Sequence, residues 1–225
     1  MNNNTAYSGS VRNAPDGADR LKFPSRGLYA ITQTGNKSGD TIINEVAAAI
    51  KGGAVIVQYR DKNPGDAPFL ARELVKICHQ YDVPLLINDD IELAALVGAD
   101  GVHLGREDGA VSQARKALGS DAIIGVSCYD FVDRAIAAQA QGATYAAFGR
   151  FFPSSSKPLA APAHIETLHQ AKLVLTIPIV AIGGILPENG AELLAAGADL
   201  LAVIGGIFDS RPEQSALAYQ GLFKH

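Results

Sequence analysis

The chain has 225 residues, 48% hydrophobic and 19% charged, a length that suits one large domain or two small ones and a composition that excludes wholesale disorder. Its 19 Lys and Arg stand against 23 Asp and Glu, a formal charge of −4 with no global attraction for nucleic acid or an anionic membrane, so neither is an expected partner. Two cysteines, Cys78 and Cys128, make neither a disulfide framework nor a zinc cluster, and no apolar run reaches membrane-spanning length, so a reducing cytoplasm is the simplest expectation.

Residues 1–25 read as a disordered N-terminal tail. They carry Asn2, Asn3, Asn4, Pro15, Gly17 and Pro24, almost no apolar periodicity and no apolar stretch of the secretory-signal kind. Residues 26–225 read as one catalytic domain, to whose stability the tail is expected to be dispensable.

From Gly27 onward, short apolar runs alternate with segments of helical spacing. Strands are predicted at Leu28–Thr32, Val55–Tyr59, Pro84–Ile87, Gly101–Leu104, Ala122–Val126, Tyr145–Phe148, Ile179–Ile182 and Leu200–Val203. The helices between them are predicted at Thr41–Lys51, Ala67–Gln80, Ile91–Val97, Val111–Ala117, Phe131–Gln141, Ile165–Leu175 and Pro187–Ala196. Pro212–Phe223 closes the series, with Ser210 and Glu213 spaced as a capping box at its start. Continuous apolar strands point to a parallel sheet buried on both faces. Eight βα units point to a closed single-domain (β/α)8 TIM barrel, with an open doubly wound sheet as the alternative. A weak repeat favours closure: Gly53-Ala54, Gly98-Ala99, Gly142-Ala143 and Gly197-Ala198 each precede an even-numbered strand.

In such a barrel the chemistry lies at the C-terminal ends of the strands. The polar residues there are Gln58, Arg60, Asp61 and Lys62 after the second strand and Asn88, Asp89 and Asp90 after the third. His103 and Asp108 follow on the fourth unit, Ser127 on the fifth, and Ser154, Ser155, Ser156 and Lys157 on the sixth. Gly183-Gly184 and Gly205-Gly206 follow the last two strands, where backbone N–H groups commonly bind phosphate; they also read as tight turns. In extended geometry Gln58, Arg60 and Lys62 share a face and form an oxyanion-binding set, although Asn63-Pro64-Gly65 also fits a solvated turn. Asp89 and Asp108 read equally as a carboxylate pair for Mg²⁺ beside a phosphate and as part of helix N-caps, Asp89 or Asp90 before the third helix and Asp108 before the fourth. His103 has no second His nearby and is expected to be a satisfied barrel-end histidine rather than a ligand, and both cysteines are expected to be buried thiols.

In this order, these segments resemble the thiamine phosphate synthase family over about residues 27–208. The resemblance rests on Gly27-Leu28-Tyr29, Gln58-Tyr59-Arg60-Asp61-Lys62, Ile87-Asn88-Asp89, Ala99-Asp100-Gly101-Val102-His103-Leu104-Gly105, Glu107-Asp108, Gly125-Val126-Ser127, Ser154-Ser155-Ser156-Lys157, Ala181-Ile182-Gly183-Gly184-Ile185 and Ala202-Val203-Ile204. It implies a transferase that joins a pyrimidine diphosphate to a thiazole phosphate with Mg²⁺ as cofactor. Gln58, Arg60, Lys62, Asn88, Ser127 and Lys157 would contact the pyrimidine diphosphate, with Arg60, Lys62, Lys157 and Ser127 catalytic. Asp89 and Asp108 would hold the metal. Ser154, Ser156, Gly184, Ile204 and Gly205 would meet the thiazole phosphate, and Tyr59, Asp61 and Ser155 complete the substrate-binding set. Self-association into a homo-oligomer is left open.

Three positions depart from the family pattern. Ser154 and Ser156 stand where Thr is usual at one or both positions, Gly205 where Ser is common, and the segment from Lys157 to Ala163 lacks a frequent Gly. A thiazole tautomerase on the same barrel resembles the chain less. It typically lacks the acidic pair and places a His shortly after the strand-5 Ser, where this chain has Cys128-Tyr129. A non-catalytic regulator sensing thiazole phosphate and a generic phosphosugar isomerase are further alternatives.

Overall fold

A computed structural model describes residues 20–62, 65–105, 110–154 and 161–224. Eight parallel strands close into a barrel in sequence order. They are β1 (Gly27–Ile31), β2 (Ala54–Tyr59), β3 (Leu85–Asn88), β4 (Gly101–Leu104), β5 (Ile123–Tyr129), β6 (Tyr145–Phe148), β7 (Ile179–Ile182) and β8 (Leu200–Val203). The surrounding helices are α1 (Gly39–Lys51), α2 (Ala67–His79), α3 (Ile91–Val97), α4 (Ala110–Leu118), α5 (Val132–Ala140), α6 (Ile165–Val174), α7 (Gly190–Ala195), α8 (Gly205–Phe208) and α9 (Pro212–Tyr219). Among the described residues, no helix is long and apolar enough to cross a membrane.

The period of two along each strand sorts the side chains into two cores. Tyr29, Ile31, Ile56, Leu86, Tyr145 and Val180 belong to the cluster that fills the barrel. Leu28, Ala30, Val57, Tyr59, Leu85 and Ile87 belong to the larger cluster shared with the helices, which also takes in Cys78 and Cys128. Both thiols are free and buried, and burial pushes the Cys128 thiol up to about 12.

The Gly-Ala repeat does more than end helices. The four glycines have φ of 101°, 69°, 92° and 114°, which a Cβ would strain. In three units the residue after Gly-Ala then pins the preceding strand. Asp100 accepts from Leu85 N at 2.8 Å, Thr144 from Ile124 N at 3.0 Å and Asp199 from Ile179 N at 2.8 Å. The repeat ties neighbouring strands together at the barrel floor.

Four expectations need correction. The Ser210–Glu213 capping box does not form: Arg211 is the N-cap with no side-chain bond, and Ser210 Oγ instead accepts from Arg211 N at 2.6 Å. The seventh helix starts at Gly190 rather than Pro187, because residues 186–189 form a turn in which Leu186 N donates to Asn189 Oδ1 at 2.8 Å. β5 runs past Val126 to Tyr129, continuing across a register shift that leaves Cys128 unpaired between Ser127 and Tyr129. The tail, finally, does not extend to residue 25. Leu21 N donates to Asp100 Oδ1 at 3.1 Å, and Phe23 packs against the inner barrel cluster, its ring stacked on Tyr145 at a centroid distance of 4.4 Å. Residues 1–19 lie outside the described residues.

Phe23 therefore plugs the barrel floor. Phe23→Ala is expected to cost about 2 kcal/mol, the burial energy of a partly exposed aromatic ring. The thermal midpoint should fall by about 4–8 °C. An unchanged midpoint would show that the plug contributes nothing.

Candidate active site

At the C-terminal mouth of the barrel lies a cavity of about 300 Å³. Of the expected site residues, Gln58, Arg60, Asn88, Asp89, Ser127 and Ser154 line it, as do Gly184, Ile204 and Gly205. Asp108, Ser155, Ser156 and Lys157 lie outside the described residues.

The second strand delivers only part of its expected set. Gln58 points inward and donates to Tyr29 Oη at 2.8 Å. Arg60 is positioned through its backbone: Thr32 Oγ1 accepts from Arg60 N at 2.9 Å and donates to Arg60 O at 3.1 Å. Tyr59 falls between them in the alternation, so its ring faces the helices, and its hydroxyl, raised to about 12 by burial, donates toward Asp61 at 3.5 Å. Neither Tyr59 nor Asp61 lines the cavity. Lys62 is exposed and is not part of the lining either, so the face expected to be shared by Gln58, Arg60 and Lys62 holds for the first two alone.

The third strand end settles what Asp89 does not do. Asp90 is the N-cap of α3, accepting from Leu93 N at 2.8 Å, which leaves the Asp89 carboxylate free of capping duty. Asp89 adopts a left-handed φ of 61°, a conformation that costs an aspartate of order 1 kcal/mol and is kept where the surroundings over-determine it. Here Asp89 N donates to His103 O at 2.8 Å, and Asn88 Nδ2 donates to Asp89 Oδ2 at 2.6 Å. The carboxylate is thereby presented at the cavity. His103 is satisfied, as expected: Nδ1 lies 2.8 Å from Tyr145 Oη and Nε2 2.9 Å from Ser127 Oγ.

On the opposite side the two glycine turns line the cavity together. Gly183 and Gly184 have φ of 106° and 64°, and a Cβ on Gly184 would come within 2.3 Å of Pro153 O, so the strand-6 loop packs directly on this turn. The Gly205-Gly206 turn begins the four-residue helix α8, an element the sequence reading missed because paired glycines signal a turn. First-turn N–H groups of a helix have no intrahelical acceptor. At Gly205 a Cβ would lie 2.4 Å from Asp209 Oδ2, the movable end of a side chain, so nothing in the structure explains the departure there. Asp209 and Arg150, both lining residues, were missed as well. Arg150 stands two residues past β6, where the strand-end rule alone would have found it.

A barrel whose mouth sets an arginine and a carboxylate across from backbone-donor turns is an enzyme of the phosphate-handling (β/α)8 class. The comparisons narrow this class. Residues 28–207 match the family described as thiamine monophosphate synthase. The chain is 51% identical over 195 residues to the thiamine-phosphate synthase of Nitrosococcus oceani, covering 86% of this chain and 90% of that one. It is 48% identical over 190 residues to that of Methylococcus capsulatus, covering 84% of each. A solved thiamine phosphate pyrophosphorylase from Pyrococcus furiosus superposes with a TM-score of 0.79 at 30% identity, over 88% of this chain and 95% of that one. The chain belongs to the thiamine monophosphate synthase family, and its activity is that of a transferase of thiamine biosynthesis.

Proposed function

We propose that the cavity joins 4-amino-2-methyl-5-hydroxymethylpyrimidine diphosphate to 4-methyl-5-hydroxyethylthiazole phosphate, or its carboxylated form, releasing thiamine phosphate and pyrophosphate. The observation that supports this reading is that one cavity is lined both by Arg60 and Asn88-Asp89, from the ends of β2 and β3, and by Ser154 with the Gly183-Gly184 and Gly205-Gly206 turns, from the ends of β6 to β8, which we read as two oxyanion sites. A substrate pair carrying a diphosphate and a monophosphate needs two.

The chemistry asks for no nucleophilic residue. The bond from the pyrimidine methylene to the diphosphate oxygen breaks, the electron pair leaving with pyrophosphate. The aminopyrimidine stabilises the methylene cation, and the thiazole nitrogen supplies the pair for the new C–N bond. The leaving group gains charge as the bond lengthens, so a cation aimed at it lowers the barrier. Arg60 takes that role, with Lys157 joining it on the family pattern. Ser127 donates to the diphosphate and Gln58 and Asn88 orient the pyrimidine. Ser154 and Ser156 with the glycine N–H groups hold the thiazole phosphate, whose charge does not change. These positions make catalysis a matter of positioning and electrostatics.

The Asp89 carboxylate, presented at the cavity and held by Asn88, fits Mg²⁺, which takes one or two carboxylates with substrate phosphate oxygens and water. Asp108 is the second ligand on the family pattern. The metal supplies charge neutralisation of the diphosphate. Two buried free thiols suit the cytoplasm as the compartment.

Incubation of the purified protein with both substrates and Mg²⁺ is expected to yield thiamine phosphate and pyrophosphate by mass spectrometry. Consumption of neither substrate would overturn the reading.

A further inference from the structure

Five polar side chains form a continuous hydrogen-bonded chain across the barrel interior at the floor of the cavity, which all of them but Tyr145 line. Gln58 Nε2 donates to Tyr29 Oη at 2.8 Å, and Tyr29 Oη lies 2.8 Å from Tyr145 Oη. Tyr145 Oη lies 2.8 Å from His103 Nδ1, and His103 Nε2 lies 2.9 Å from Ser127 Oγ. Gln58 is 2% exposed, Tyr29 1% and Tyr145 0%, so water does not satisfy the first three members. Room for the chain is built in: a Cβ on Gly125 would sit 2.0 Å from the Tyr145 ring. The Tyr145 ring is also stacked on Phe23 at 4.4 Å and lies near-parallel to the His103 ring at 5.7 Å between centroids.

Such a chain has a direction, set at its buried end. An amide nitrogen only donates, so the Tyr29 oxygen receives from Gln58. Burial pushes both tyrosine hydroxyls well above their ordinary range, so each keeps its proton. The Tyr29 proton then goes to Tyr145, and the Tyr145 proton goes to His103 Nδ1. For a neutral imidazole the ring proton is then on Nε2, facing Ser127 Oγ. Reversing the chain would leave the Tyr29 proton facing the donor nitrogen of Gln58, a buried hydroxyl without an acceptor.

We propose that Gln58, Tyr29, Tyr145 and His103 act as a positioning relay that sets the direction of the Ser127 hydroxyl, turning its proton toward the cavity. Ser127 accepts from the imidazole, so its own proton is available to an oxyanion. This deepens, and rests on, the reading that Ser127 meets the pyrimidine diphosphate. A serine held as a donor before substrate arrives needs no reorganisation as the leaving group gains charge. The four relay residues are positioning groups: they act through Ser127.

Two measurements test this. Nitrogen NMR of the free, ¹⁵N-histidine-labelled enzyme should show His103 protonated on Nε2 and bare on Nδ1. A proton on Nδ1 alone overturns the relay. Second, Tyr145→Phe keeps the stacked ring but removes the hydroxyl, freeing the imidazole to take either tautomer. Its kcat/KM for the pyrimidine diphosphate should fall ~10-fold, the worth of one hydrogen bond, with KM for the thiazole phosphate unchanged. In a Ser127→Ala background the same substitution should change kcat/KM by less than ~2-fold, since the interaction it acts through is gone. Losses that multiply in the double variant would make Tyr145 a packing residue and overturn the relay. Full turnover of Ser127→Ala would instead overturn the assignment of Ser127 and with it the purpose of the relay, whatever the nitrogen spectrum shows.

Discussion

Asp89→Ala is expected to lower kcat by ~10²-fold or more, about 2.7 kcal/mol of transition-state stabilisation, and chelation of Mg²⁺ to abolish turnover of the unmodified enzyme. The reasoning starts from the local backbone. Asp90 caps α3, so Asp89 has no structural task that would explain its left-handed φ of 61°. A strained conformation kept at a cavity wall is held there by its surroundings, here the bonds from Asp89 N to His103 O and from Asn88 to the carboxylate. Because the strain disappears with Asp89→Gly, that variant should be at least as stable as the parent while equally inactive. Steady-state kinetics with and without chelator, together with thermal midpoints of both variants, check the prediction. Full activity in chelator would remove the metal from the proposal. Loss of activity accompanied by unfolding of Asp89→Gly would make the residue structural.

Arg60→Ala should depress kcat by ~10²–10³-fold, the effect of removing one preorganised electrostatic group aimed at developing charge. Arg60→Lys should recover only part of it, since a point charge replaces a planar fork suited to two oxyanion contacts. Ser154→Ala should behave differently. It lies beside the glycine turns, against a phosphate whose charge is the same in ground and transition states, so its loss should raise KM for the thiazole phosphate and leave kcat nearly unchanged. Varying each substrate in turn separates the two patterns. The opposite split, with Arg60→Ala acting only on the thiazole KM, would exchange the two oxyanion sites of the cavity.

Much of this site was legible because barrel topology converts sequence position into spatial position. Residues just past an apolar run land at one mouth, whichever strand they follow. That rule alone reached Gln58, Arg60, Asn88, Asp89, Ser127, Ser154 and both glycine turns, and all of them line the cavity. It says where a residue is along the strand and not which way it faces. The same rule also gave Asp61 and Lys62, and the family motif gave Tyr59, yet none of the three lines the cavity; the alternation that turns Gln58 inward turns Tyr59 outward into the helix layer. Tyr29 and Tyr145 were read as apolar strand residues because a sequence does not show that two phenols on strands one and six meet at 2.8 Å across the barrel.

The sequence by itself determined the closed barrel and the family. Apolar periodicity and helix-ending glycines are local signals, and local signals summed over eight units leave few topologies. The family landmarks are likewise strings of adjacent residues. Only the tertiary structure decided the facing of each side chain, the choice of Asp90 as the cap that frees Asp89, the packing of Pro153 O against Gly184, and the docking of Phe23 under Tyr145. Each depends on a partner distant in sequence or on a competition between neighbours for the same hydrogen bond. The energies that decide such contests arise from contacts that exist only once the barrel has closed.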